Sequence, residues 1–330
     1  MTKVTIISGF LGAGKTTLIK KLLKEAFAGE KCVLLENEYG EIGIDGGFMK
    51  DSGIQISELN SGCICCTLAG DFTKAIGELV EKYHPDRLII EPSGVGKLSD
   101  IRRVVEQEEK EHGEIHLTGC ATIVDAGKCK MYLKNFAEFF IDQIKCAETV
   151  ILSRTQLVSE EKLEKAVELV REQNADARLI TTPWDDITGQ VIMDAIEHPT
   201  SLIDVDSVCP HHEHHHHHHD HDHEEHCCCG HHHHHHDHDA DEVFTSWGVE
   251  TARKFTKAEV EHALTELDTG NYGMILRSKG IVDGGADGWL EFDYVPGEWE
   301  VRARGADVGG KLVVIGSKLN EKAIAELFGC

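Results

Sequence analysis

Residues 3–10 read KVTIISGF, a β-branched apolar run that stops at a glycine. It gives way to GAGKTTLIKKLLKEAF, where apolar positions recur every three or four residues. The first pattern predicts a buried strand and the second an amphipathic helix, joined by a glycine-rich turn. The alternation continues with apolar runs at residues 31–39, 86–93, 117–126, 148–155 and 177–183. Helical patterns such as FTKAIGELVEKY at 72–83 and EEKLEKAVELVREQ at 160–173 separate them. Nearly continuous apolar strands between amphipathic helices predict an α/β fold, a mostly parallel sheet covered by helices on both faces. Ligands of such sheets gather at the carboxyl ends of the strands, so polar residues there carry the chemistry. From residue 244 the pattern changes to a short strand, a helix opened by Thr256, three strand-like runs and a last helix starting at Asn320 and Glu321. These predict a small C-terminal α/β (α+β) domain.

Between the two patterns lies a segment with no apolar periodicity. Residues 203–243 hold eleven Asp or Glu, no Lys or Arg, and 18 of the 23 histidines of the chain. With almost nothing to bury, this His-rich stretch is expected to be a disordered linker. It divides the 330 residues into 1–202, 203–243 and 244–330. The net charge of −25 argues against a nucleic-acid partner, which needs clustered Lys and Arg, and suits a protein that handles cations. The N-terminus lacks the series of a signal peptide, and no apolar run reaches the roughly 18–20 residues of a membrane span. The chain therefore reads as cytoplasmic and without a membrane partner. In a reducing compartment its twelve cysteines are metal ligands, reactive thiols or core residues rather than disulfides.

Gly9, Gly14, Lys15 and Thr16 satisfy the pattern G-x-x-x-x-G-K-S/T in its required context of strand, loop and helix. The loop, which includes Gly12 and Ala13, lets backbone N–H groups wrap phosphates, and the helix N-terminus carrying Thr16 and Thr17 adds its dipole. Lys15 reaches the β- and γ-phosphates and the Thr16 hydroxyl ligates Mg²⁺. Glu91 ends the run at 86–93, where a carboxylate can hold Mg²⁺ through water or position the attacking water. Gly94 can present a backbone N–H to the γ-phosphate. Asp125 reads as a strand-end cap. No catalytic grouping is legible in the C-terminal third.

The stretch NSGCICCTLAG puts Cys63, Cys65 and Cys66 within four positions. Soft and borderline ions such as zinc and copper(I) prefer thiolates, and three thiolates leave a tetrahedral ion one open position, which a carrier needs for exchange. Buried core thiols and a redox dithiol are the alternatives. The histidines and Cys227, Cys228 and Cys229 of the linker read as a reservoir for zinc, nickel or cobalt that raises the local ion concentration, or as a solvated spacer.

SGFLGAGKTTL, ENEYGEIGID, GCICCTL and EPSG, in this order and spacing, resemble the CobW-like metallochaperone GTPases, relatives of the GTPases that insert nickel into urease and hydrogenase. YGMILRSKGIV, GWLEFDYVPGEWEVR and KLVVIGSKLNEKAIAELF look like the small C-terminal domain of that family. The resemblance covers residues 3–200 and 244–330 and implies a P-loop GTPase that binds a transition metal, Zn²⁺ first and Ni²⁺ or Co²⁺ next. It also implies delivery of that metal to a client protein. ENEYGEIGID would be a switch loop, with Glu36 and Glu41 as accessory metal ligands. Where the family reads guanine with an Asn-Lys-x-Asp element, this chain has Ser153-Arg154-Thr155-Gln156. An Asp carboxylate accepts from guanine N1–H and the 2-amino group together, whereas the Gln156 amide offers one acceptor and a donor. Guanine preference is thus open at this position, although GTP fits the rest of the pattern. Two other readings stand beside the chaperone: a metal buffer whose linker does the work, and a small-molecule P-loop kinase. A homo-oligomer is compatible with all three.

Overall fold

The computed structural model describes residues 1–37, 55–59, 69–199, 240–305, 307 and 309–330. β1 (Thr2–Gly9) is buried over nearly its whole length, which places it inside a sheet rather than at an edge. The order is β3 (Gln55–Leu59), β2 (Cys32–Asn37), β4 (Arg87–Glu91), β1, β5 (Ile115–Asp125), β6 (Thr149–Ser153) and β7 (Arg178–Ile180). Every pairing among these seven strands is parallel. Successive β1 side chains enter opposite layers. Ile7 meets Leu18, Ile19 and Leu22 of α1 (Lys15–Glu25) and Ile192 and Ile196 of α7 (Gly189–Glu197). Val4 and Ile6 meet the layer formed by α2 (Ala69–Tyr83), α3 (Leu98–His112), α4 (Cys129–Asn135), α5 (Ala137–Lys145) and α6 (Glu160–Gln173). The predicted α/β fold is therefore present.

After α8 (Ala240–Val243) comes a five-stranded antiparallel sheet with the order β11 (Glu298–Arg304), β10 (Trp289–Val295), β9 (Met274–Asp283), β12 (Gly310–Ser317) and β8 (Thr245–Thr251). The stretch GWLEFDYVPGEWEVR is a hairpin of two strands, so four strands stand where three strand-like runs were expected. Val295 pairs with Glu298 across Pro296 and Gly297, whose φ is 78°. Proline fixes φ and glycine accepts the left-handed region, so two residues reverse a pattern that looks uninterrupted. Thr256 opens α9 (Lys257–Glu266) with a full capping box to Glu259, and the Asn320 side chain caps α10 (Glu321–Phe328).

One face of this sheet, with Val282, Leu290, Phe292 and Val314, packs on α9 and α10. The other face is divided. Ile281, Val313 and Ile315 join the core of the first domain, where the Phe244 ring lies 5.1 Å from Phe139, 5.3 Å from Phe136 and 6.2 Å from Phe10. The charged half carries the ion pairs Arg277–Asp293 and Arg302–Glu291. Because Phe10 belongs to the loop after β1, the shared core brings the C-terminal sheet to the carboxyl ends of the first one. No helix among the described residues is long and apolar enough to cross a membrane.

Candidate nucleotide-binding and metal site

The turn from β1 into α1 needs glycine at two positions, Gly12 with φ 70° and Gly14 with φ 105°, where a Cβ would be strained. Ala13 between them is buried. Lys15 is buried at the start of α1, and its Nζ donates to Gly9 O at 2.9 Å. Tyr132 Oη donates to Leu11 O at 3.3 Å and holds the loop from α4. Since β4 lies beside β1 with Ile90 opposite Ile6, Glu91 arrives next to the loop. Thr16 Oγ1 donates to Glu91 Oε1 at 3.2 Å, with Oε2 at 3.4 Å. Glu36 is buried at the end of β2, in register with Glu91. The expected partners Lys15, Thr16 and Glu91 are therefore together at one sheet end.

The segment after Glu91 is pressed on the same loop: a Cβ at Gly94 would fall 2.8 Å from Leu11 N. Gln143 of α5, fully buried, fixes this segment by donating Nε2 to Gly94 O at 3.2 Å and to Gly96 O at 2.9 Å. Its own backbone carbonyl accepts from Thr122 Oγ1 at 2.6 Å, and the neighbouring Asp142 Oδ1 accepts from Ser99 N at 3.1 Å. The sequence reading missed Gln143. The available signal was two adjacent polar residues inside the apolar stretch FFIDQIK, since a buried polar pair has to be hydrogen-bonded.

At the end of β6, Ser153 is buried beside Gly14 and Gln156 is exposed. Arg154, with φ 55°, turns back to the phosphate loop: Nη1 donates to Gly12 O at 2.8 Å and to Asp125 Oδ2 at 2.9 Å. Asp125 also accepts from Gly127 N at 2.8 Å, so the expected strand-end cap is present and Arg154 is added to it. Trp184 donates from Nε1 to Leu152 O at 3.1 Å, and its ring lies 3.2 Å from the place of a Cβ on Gly14.

The C-terminal domain closes the site. Val295 Cγ1 occupies the notch left by Gly12, 2.2 Å from where a Cβ would stand. Glu298 Oε2 lies 3.2 Å from Arg154 Nε. A cavity of about 290 Å³ is lined from one side by Gly14, Lys15, Thr16, Thr17 and Glu91 and from the other by Arg277, Asp293, Glu298 and Arg302. Burial, reinforced by Arg302, holds Lys20 of α1 below the ordinary lysine range. Burial opposes ionisation of Asp293, but Arg277, Lys279 and Arg302 outweigh it and keep its carboxyl below the usual range. The C-terminal third thus contributes to the site, and nothing local in its sequence signals this.

Cys63, Cys65, Cys66, Glu41 and the His-rich stretch lie outside the described residues. Burial pushes the thiol of Cys32 up to about 11 and those of Cys120 and Cys129 up to about 12, so these three stay protonated in the core. Among the described residues no three His, Cys, Asp or Glu side chains stand together as a metal site.

Residues 3–181 match the model of the CobW/HypB/UreG nucleotide-binding domain. The chain belongs to the CobW/HypB/UreG family. Residues 244–330 match the C-terminal domain of the cobalamin synthesis protein CobW. Among its relatives, the zinc chaperone YeiR of Escherichia coli (strain K12) is 33% identical over 193 residues, covering 58% of this chain and 58% of that protein. The zinc chaperone CobW of a Sinorhizobium species is 32% identical over 182 residues, covering 47% and 51% respectively. The chain thus spans a little over half the length of these curated relatives. The Zn(II)-bound YjiA GTPase from E. coli is 21% identical with a TM-score of 0.43, covering 99% of this chain and 98% of that one.

Proposed function

We propose that this CobW/HypB/UreG member is a GTP-hydrolysing metallochaperone of the cytoplasm that carries a transition metal, zinc first, to a client protein. The observation that carries the reading is the meeting of Lys15, Thr16 and Glu91 under a loop held open by Gly12 and Gly14. A triphosphate would lie along that loop, with Lys15 exchanging Gly9 O for phosphate oxygens. Mg²⁺ fits the donor set, a hydroxyl paired with a carboxylate, and Thr16 and Glu91 would hold it. When bound, the ion neutralises charge on the β- and γ-phosphates. Gln143 keeps the segment at Gly94 against Leu11, so a backbone N–H there would be placed for the γ-phosphate.

Zinc is cargo in this reading. Its ligands would be the thiolates of Cys63, Cys65 and Cys66, with Glu36 and Glu41 in support. Residues 1–202 would bind nucleotide, 203–243 would gather metal, and 244–330 would cover the nucleotide and meet the client. The names of the relatives, zinc chaperones among them, support zinc as the first ion to test.

Steady-state hydrolysis of GTP and ATP by a variant lacking residues 209–238, with and without one equivalent of zinc, tests the proposal. The expected result is GTP hydrolysis whose rate depends on zinc and loses that dependence in Cys65→Ala. Hydrolysis indifferent to both zinc and Cys65 would separate the sites and leave metal storage by the linker as the function.

A further inference from the structure

We infer that Glu298 of the C-terminal hairpin is the carboxylate that reads the guanine ring, in place of Gln156. The inference rests on the GTP reading above. Guanine presents two donors on one edge, N1–H and the 2-amino group, and a carboxylate accepts from both. The amide of Gln156 cannot, and Gln156 is exposed and does not line the cavity. What stands at this end of the site is Arg154, one residue into the segment where the family reads the base. Its guanidinium is fixed on Gly12 O and Asp125, and its Nε faces Glu298 Oε2 at 3.2 Å.

Two anchors set this carboxylate. Val295 rests on Gly12, and across the two-residue turn Glu298 is its ladder partner. Glu298 lines the same cavity as Lys15 and Thr16, and its side chain is still 53% exposed, which leaves it accessible to a ligand. Each carboxylate of the cavity has a partner, Glu91 with Thr16, Asp293 with Arg277 and Glu300 with Arg302, and Glu298 is the one paired with Arg154 of the base-reading segment. Asp185 and Asp186, exposed beyond Trp184, do not line it. Base selectivity would then belong to the docked C-terminal domain, and the first domain by itself would bind the phosphates without choosing the base.

Equilibrium binding of GDP, IDP and XDP to the full chain and to Glu298→Gln tests this. Inosine lacks the 2-amino donor, and xanthine has a carbonyl in its place. The unaltered chain should prefer GDP over IDP by about tenfold to a hundredfold, the worth of one hydrogen bond to a charged group. Glu298→Gln should lose most of that preference and gain on XDP, because an amide accepts from N1–H and donates to the 2-carbonyl. Adding Gln156→Asp to Glu298→Gln should not restore the preference for GDP, because position 156 does not line the cavity. A GDP-to-IDP ratio unchanged in Glu298→Gln would overturn the inference and leave Glu298 as an interdomain contact alone. Failure of the unaltered chain to bind GDP would instead overturn the GTP reading, and this inference with it.

Discussion

Lys15→Ala is expected to lower GTP hydrolysis by about a hundredfold to a thousandfold, the loss found when one preorganised charge donor is removed from a transition state, while the fold stays in place. Lys15 is buried at the head of α1 with its ammonium on Gly9 O. Without nucleotide that contact satisfies one carbonyl; with nucleotide the same charge would face the β- and γ-phosphates, where charge develops as the bond breaks. Alanine is a good helix former and leaves α1 its apolar face of Leu18, Ile19 and Leu22. Lys15→Arg should not rescue the rate, because a planar guanidinium does not replace a compact ammonium in a closed loop. Single-turnover hydrolysis alongside thermal unfolding checks this. A rate within tenfold of the unaltered protein would contradict the role given to Lys15.

Arg102→Ala should act on stability. Arg102 of α3 and Glu148 before β6 are both buried, with Nη2 2.8 Å from Glu148 Oε1, and Nη1 also donates to Cys146 O at 3.1 Å. Removing one partner of a buried pair strands the other, at a cost of roughly 3–5 kcal/mol. The loss should reach the nucleotide site, because α3 begins directly after the segment that carries Gly94 and Gly96. Burial already pushes the Glu148 carboxyl above the ordinary range, opposed chiefly by Arg102. Its removal would push the carboxyl further up. A carboxyl raised in the folded state binds its proton more tightly there. Its contribution is therefore fully present below the unfolded pKa and is lost as pH rises through the folded one. The deficit of Arg102→Ala should accordingly be largest at neutral pH and shrink on moving down into the carboxylate range. Urea unfolding at several pH values measures it, and a deficit independent of pH would contradict the assignment to Glu148.

The legible part of this chain was whatever a local pattern fixes. The phosphate loop, the buried strands and the caps at Thr256 and Asn320 all depend on residues within a few positions of one another. β3 escaped because Gln55–Leu59 is a short run, QISEL, whose place in the sheet comes from a ladder with β2 that local pattern does not show. The turn at Pro296 and Gly297 was hidden inside a continuous apolar and charged pattern. Arg154 was expected at the base on its position alone, whereas the structure ties it to Gly12, Asp125 and Glu298. The C-terminal wall of the cavity comes from residues more than 250 positions from the phosphate loop, joined to it through the aromatic cluster at Phe244. Tertiary packing of that kind leaves no periodicity to read.

A chaperone whose hydrolysis depends on zinc must couple its two ligands, so the zinc affinity of the variant lacking residues 209–238 should differ between GDP and a non-hydrolysable GTP analogue. Linkage requires that whatever factor separates the two zinc constants also separates the analogue affinities with and without zinc. The expected difference is at least about fivefold, the lower end of ordinary coupling between sites, equal in both directions and absent in Cys65→Ala. Equal zinc affinity in the two nucleotide states would contradict it.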